Sequence, residues 1–369
     1  MGRLHLWLPH LCFDGSMVTT FVSRVIDSLN CGVEGRFRTL RGVDLRCDAN
    51  GCVESYIGSS VVVVPLVAGD DEQAMALRFY VRAKSYLREI YGGMYYPEEF
   101  IVDHGGDVCR VDVVMTPWVE GRTLSDVVHD AAHHRDGERI ITEISHRFDR
   151  LAMDIVESHW AHGDICCENI VVTPEGDLLL IDNDSNFIPE LEGCCSDDIG
   201  HSAYQSPERG VEHFHHRIDD FSIALLSVTL AALSLDLGLY RGGRSLDSLL
   251  LDGENLGGDV MVAGVVDLLK RGGRVAHLAM VNELRRSPIV IDRLPQLLRF
   301  ICRDASINGE VEIFEDGGYW GYRSCESGVV VIPAMFDLAC NFDCDGAVAS
   351  VDRSWYRLDR SGALSLYSL

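Results

Sequence analysis

Three side chains that carry oxygen donors fall close together in one stretch of the chain. They are Asp164 in His162-Gly163-Asp164, Asn169 five residues on, and Asp182 at the start of Asp182-Asn183-Asp184. Between Asn169 and Asp182 run two apolar segments, 170–172 and 178–181, separated by Thr173-Pro174-Glu175-Gly176-Asp177. Short apolar runs around a Pro/Gly/Asp turn predict a β-hairpin. A hairpin returns its second strand beside its first, so Asn169 entering and Asp182 leaving should meet at one edge. Asp164 lies one short loop earlier. Oxygen donors converging in this way suit a hard cation such as Mg2+, and a spare carboxylate beside it can accept a hydroxyl proton. The plain alternative is a polar rim on an ordinary surface hairpin.

The elements that must position these groups divide by texture. Residues 46–117 are β-rich, with β-branched runs at 61–67, 75–80, 99–104 and 110–115 bounded by Gly and Asp. A helical stretch is expected at 81–91, and another at 17–29. From 122 to 290 the pattern is mainly helical apart from the hairpin, and the apolar run 221–235 reads as a buried helix. It is too short to span a bilayer comfortably. From about 305 glycine, aromatic and strand signals recur and helix signals stop. The expected organisation is an extension (1–45), a β-rich lobe (46–117), a helical lobe (118–304) with a cleft between the lobes, and a β segment (305–369).

At this point the chain resembles the protein-kinase superfamily. The resemblance rests on His162, Asp164 and Asn169, then Asp182, then Gly200-His-Ser-Ala-Tyr204-Gln-Ser206-Pro207-Glu208, then Asp219-Asp-Phe-Ser222, in that order. It covers roughly residues 50–290. It implies an α+β chain with a bilobal protein-kinase-like fold, binding ATP and Mg2+. Asp164 would orient or deprotonate the acceptor hydroxyl, and Asn169 and Asp182 would hold Mg2+. Asp219 would pin the catalytic-loop backbone, and Glu208 would be a structural ion-pair partner. Gly58 and Ser59 would form a reduced phosphate-covering turn, Met115 would open the adenine hinge, and Arg78 would contact phosphate with Glu89 as its partner.

The chain departs from the family pattern at four places. Arg78 stands where the family has a phosphate-clamping lysine, and arginine changes the geometry of that clamp. Cys166 replaces the catalytic-loop lysine, which removes a cation near the transferring group. Gly163 replaces an arginine that pairs with a phosphorylated loop, and Asp184 occupies the place of a glycine, as a third metal ligand or a turn residue. Three readings stay open: a Ser/Thr-directed phosphotransferase, a pseudokinase scaffold, and a small-molecule phosphotransferase of the aminoglycoside type.

The last segment resembles WG repeats. One copy runs from Asp316-Gly-Gly-Tyr-Trp320-Gly321-Tyr322 through Phe336 to Val351, and a degenerate second begins at Trp355. Units of this kind need neighbours to bury their faces, so the segment should dock on the helical lobe or on a partner.

Composition narrows the classes further. The formal net charge of −25 argues against a nucleic-acid backbone or an anionic membrane as the main partner and favours a cationic protein partner or substrate. Thirteen cysteines, paired as Cys166-Cys167 and Cys194-Cys195 rather than as CxxC, read as reduced thiols in the cytoplasm. The first ten residues lack an unbroken apolar run and a small-residue cleavage site. His213, His215 and His216 lack the spacing of a zinc site.

Overall fold

The computed structural model describes residues 23–29, 35–40, 43–57, 61–67, 73–104, 107–240, 248–256, 260–303, 307, 309–343 and 346–367. Gly58 and Ser59 lie outside these. The chain is mixed α+β and divides into two compact units, Met1–Val119 and Glu120–Leu369. The first boundary thus falls two residues beyond the expected one. The segment from 305 onward belongs to the same unit as the helices.

The first unit is a six-stranded antiparallel sheet of β1 (Gly35–Phe37), β2 (Tyr56–Ile57), β3 (Val61–Pro65), β4 (Met75–Tyr80), β5 (Tyr95–His104) and β6 (Asp107–Pro117). The strand order is β1-β5-β6-β4-β3-β2. Alternate residues of each strand face opposite sides. One face gathers Val62, Val64, Leu77, Phe79, Phe100 and Val113 against helix α1 (23–29), which inserts Val25. The other gathers Val61, Tyr80 and Val114 against α2 (Leu87–Tyr91). Burial on both faces explains why β3 is an unbroken valine run rather than an alternating one. The expected helix over 81–91 is confined to α2: Val81 packs against the sheet core, and 81–86 are bends and irregular chain. Of the expected helix over 17–29, the described part is α1.

The second unit opens with β7 (Arg122–Thr123) and α3 (Leu124–Ala131), whose first turn is capped by Thr123 Oγ1 accepting from Asp126 N at 3.1 Å. Helix α4 (Gly137–Val156), strands β8 (Ile170–Val172) and β9 (Leu178–Leu180), and helices α5 (Asp220–Leu235), α6 (Val260–Arg271), α7 (Val275–Leu284) and α8 (Leu294–Cys302) follow. Every residue of α5 from Asp220 to Leu233 is buried, as an apolar run without periodicity requires. Of its polar groups, Ser227 Oγ donates to the buried Asp149 of α4 at 2.6 Å. Among the described residues no helix is long and apolar enough to cross a membrane.

The β segment is built of two hairpin units. Strands β10 (Val311–Asp316), β11 (Tyr319–Ser324) and β12 (Val330–Phe336) form one sheet. Strands β13 (Leu338–Ala339), β14 (Ala347–Val351), β15 (Ser354–Leu358) and β16 (Leu364–Leu366) form the other. The first turns at Gly317-Gly318 and the second at Asp352-Arg353, all four at positive φ, as a two-residue turn matched to strand twist demands. Trp320 and Trp355 therefore occupy the same place after each turn. The second unit begins at β14, earlier than expected, because β14 pairs with β15 from Ala347↔Leu358 to Val351↔Ser354.

Both sheets pack on the helices. Tyr322, Phe336, Ala349 and Tyr356 join one buried core with α7 and α8. Arg293, just before α8, stacks 3.7 Å from the Tyr319 ring centroid and donates to Ala334 O at 2.9 Å. Lys270 of α6 pairs with Asp352 at 2.7 Å.

Candidate functional site

The hairpin forms where the alternation of apolar segments and turn residues places it. β8 and β9 pair from Ile170↔Leu180 to Val172↔Leu178. One step beyond, Ile181 N donates to Asn169 O at 2.9 Å. That bond sets Asn169 beside the segment entering Asp182. Asp182 itself takes a left-handed conformation, φ 66° and ψ 57°, which costs a non-glycine residue energy and persists only where its surroundings hold it. It opens a short turn (Asn183–Ser185) in which Asp184 is buried.

The loop before the hairpin is tied down from several sides. His162 is fully buried; its Nε2 donates to Ile181 O at 2.9 Å, and its Nδ1 accepts from Asp164 N at 3.3 Å. The imidazole thereby links the loop to the strand end that leads into Asp182. Asp219, at the N-terminus of α5, accepts from His162 N at 2.5 Å and Gly163 N at 2.9 Å, the pinning role that the resemblance implied. Gly163 has φ +79°, and a Cβ there would collide with the Ser185 carbonyl. The glycine is thus required by the packing of two loops, and no arginine fits the position without moving the 183–185 turn.

Asp164 sits at the centre of this array. Asn169 Nδ2 donates to Asp164 O at 2.9 Å and to Oδ2 at 3.0 Å, and His201 N donates to Oδ1 at 2.7 Å. The His201 contact depends on Gly200, φ +73°, where a Cβ would lie 2.6 Å from Asp164 Oδ1. Asp198 Oδ1 completes the closure, accepting from Ser185 Oγ at 3.0 Å and Gly200 N at 3.2 Å. With the Asn169 amide nitrogen turned to Asp164, its carbonyl oxygen is the atom it would offer to a cation. The donor set at the hairpin mouth is carboxamide and carboxylate oxygen, which fits a hard cation such as Mg2+.

Other expected residues fall elsewhere. Cys166 is buried beneath the loop, and burial, then the Asp164 charge, pushes its thiol well above the usual range. It is an inert thiol rather than a reactive one. Glu208 was expected in an ion pair but is exposed and has none among the described residues; the buried charge of that segment is its neighbour Arg209. Arg78, Glu89 and Met115 belong to the first unit. Arg78 is buried in β4, its Nε donating to Tyr80 Oη at 3.2 Å. Glu89 is exposed on the five-residue α2 and makes no ion pair with Arg78. The helix packs on the sheet through Leu87 and Tyr91, which leaves Glu89, between them, on its exposed side. Met115 lies within β6, opposite Leu77; the strand runs on through Pro117, and the boundary between the units follows at Val119, within the 115–121 segment that the resemblance assigned to a hinge.

His213 and His215 close local turns, their Nδ1 atoms accepting from Gly210 N at 2.9 Å and Arg217 N at 3.2 Å. Among the described residues no three His, Cys, Asp or Glu side chains are grouped to hold a metal. Sequence reasoning quoted the 200–208 segment as a motif but gave no role to His201, which bonds Asp164, or to Gln205, and it passed over Asp198 and Arg209 on either side. The signal available was Gly200, whose positive φ lets His201 N reach Asp164. No protein-family model matches the chain, and no curated protein matches it.

Proposed function

We propose that the second unit carries the catalytic loop of a Mg-ATP-dependent phosphotransferase acting on a hydroxyl group, in a divergent protein-kinase-like arrangement. The observation that carries the reading is the convergence on Asp164. Its carboxylate is fixed by Asn169 and His201 while the Asn169 oxygen and Asp182 stand at the adjoining hairpin mouth. Asp164 orients the acceptor hydroxyl and takes its proton as that oxygen bonds to the γ-phosphorus of ATP and the bond from the γ-phosphorus to the departing ADP breaks. Asn169 and Asp182 would hold Mg2+, which when bound would neutralise phosphate charge. The left-handed Asp182 supports a functional use of that position. The acceptor we infer is a Ser/Thr hydroxyl on a cationic protein, in keeping with the charge of −25, in the reducing cytoplasm that unpaired thiols favour.

A second reading, a pseudokinase scaffold, is favoured by one specific feature, the neutral buried Cys166 where a loop cation is expected. Calorimetry of ATP with and without Mg2+, on wild type and Asp182→Ala, separates the two. Magnesium-dependent binding lost in the variant supports the enzyme. Absence of binding under both conditions overturns it in favour of the scaffold.

A further inference from the structure

Asp164 is held from two directions, by two different segments. Asn169, just before β8, donates to Oδ2 and is itself fixed by the hairpin. His201 donates its backbone N–H to Oδ1 at 2.7 Å. It lies in a strap, residues 197–202, in which no residue is buried. Apolar burial cannot place such a segment, so its position depends on hydrogen bonds.

The strap is anchored at both ends. Ser196 N donates to Val211 O at 2.8 Å before it, and the buried Ala203 and Tyr204 follow it. Between these anchors stands Asp198. Its Oδ1 accepts from Gly200 N at 3.2 Å and from Ser185 Oγ at 3.0 Å. The first bond alone would be an ordinary Asx turn. The second reaches back into the Asn183–Ser185 turn that Asp182 opens. That turn also abuts the catalytic loop, where a Cβ on Gly163 would lie 2.2 Å from Ser185 O.

We infer that Asp198 is a positioning residue for Asp164. It joins the turn after Asp182 to the strap that carries His201, and so sets the Asp164 carboxylate and the Asp182 segment in one arrangement. Asp198 acts on Asp164 through Gly200 and His201. The inference rests on the proposed function only in taking Asp164 as the base.

Hydrogen exchange of the His201 amide, in the full chain with isotope-labelled histidine and no nucleotide, tests this link. Asp164→Ala removes the acceptor and sets the released rate. Asp198→Ala should approach that rate, with exchange about ten-fold faster than in wild type, as the loss of a charge-assisted bond implies. Ser185→Ala should move the same way, because it cuts the link to the turn and leaves the Asx turn in place. Asp198→Asn keeps an Oδ1 acceptor for both donors and should stay within about two-fold of wild type.

An unchanged rate in Asp198→Ala overturns the inference and leaves Asp198 a surface charge. A rise in Asp198→Ala without one in Ser185→Ala also overturns it, leaving Asp198 a local turn-former. So does a rate in Asp198→Asn equal to that in Asp198→Ala. Should Asp198→Ala not fold, Ser185→Ala and Asp198→Asn decide, the first expected to rise and the second to stay level. No step needs ATP or Mg2+, so a failure of nucleotide binding counts against the proposed function and leaves this result standing.

Discussion

The carboxylate of Asp219 spans the loop backbone at His162, taking that N–H at 2.5 Å while its other oxygen takes the next one, Gly163 N–H, at 2.9 Å. Both donors belong to buried residues, and Asp219 is the one acceptor seen for them among the described residues. Leaving a buried donor unsatisfied costs about 1–3 kcal/mol. Asp219→Ala should therefore lose on the order of 3 kcal/mol in urea unfolding. Asp219→Asn, which keeps one acceptor, should lose less.

Gly163 and Gly264 make a matched pair of opposite sign. Gly163→Ala places a Cβ against the Ser185 carbonyl at positive φ, so it should destabilise by about 2 kcal/mol or more. Gly264 lies exposed inside α6, where a Cβ meets nothing within 4 Å. Gly264→Ala should stabilise by about 0.5–1 kcal/mol. Differential scanning calorimetry of the two variants checks the contrast.

Asp220 gives a pH signature. Burial pushes its carboxyl up to about 6, against Arg217, which bonds it at 2.5 Å and acts to lower it. A folded value above the unfolded one of about 3.8 means that proton uptake favours folding. The contribution is complete below about pH 4 and is lost as pH rises through about 6. A gap of this size corresponds to about 3 kcal/mol. The stability difference between wild type and Asp220→Asn, followed by urea unfolding from pH 4 to 8, should shift by an amount of that order within this window. It should stay level above it.

Arg293 should couple the β segment to the helices. Its guanidinium stacks on Tyr319, donates to Ala334 O and pairs with Glu283. Arg293→Ala removes all three and leaves Glu283 half-buried with only the exposed Arg286, 3.6 Å away, as a partner. A loss of about 2–3 kcal/mol is expected, together with faster proteolysis between residues 303 and 311. Arg293→Lys keeps the charge without the planar fork, and should recover less than half.

Local signals made much of this chain legible in advance. The 170–181 hairpin, the valine-rich strands and the wholly apolar α5 each announce themselves within a few residues. So did Asp219, because its motif marks the start of an apolar helix. The closure over Asp164 was not legible, since His201 reaches back across 37 residues by a backbone N–H that carries no side-chain signature. Arg209 was hidden because a lone arginine in a loop reads as a surface charge until its burial is seen. Glu89 failed for a related reason: a glutamate on a short helix can be placed in sequence, while the direction of that helix cannot. The phase of the hairpin repeat was misjudged because Trp355, the most visible residue of the second unit, sits on its second strand.

The shared core of β14, β15 and α7 also sets an order for biosynthesis. Ala349, Val351, Tyr356 and Leu358 cover apolar faces of helices that leave the ribosome some seventy residues earlier. Until residue 358 has emerged, those faces have no lid. Nascent chains stalled anywhere between about 300 and 350 should therefore attract chaperones, and the second unit should close in a single late step rather than helix by helix.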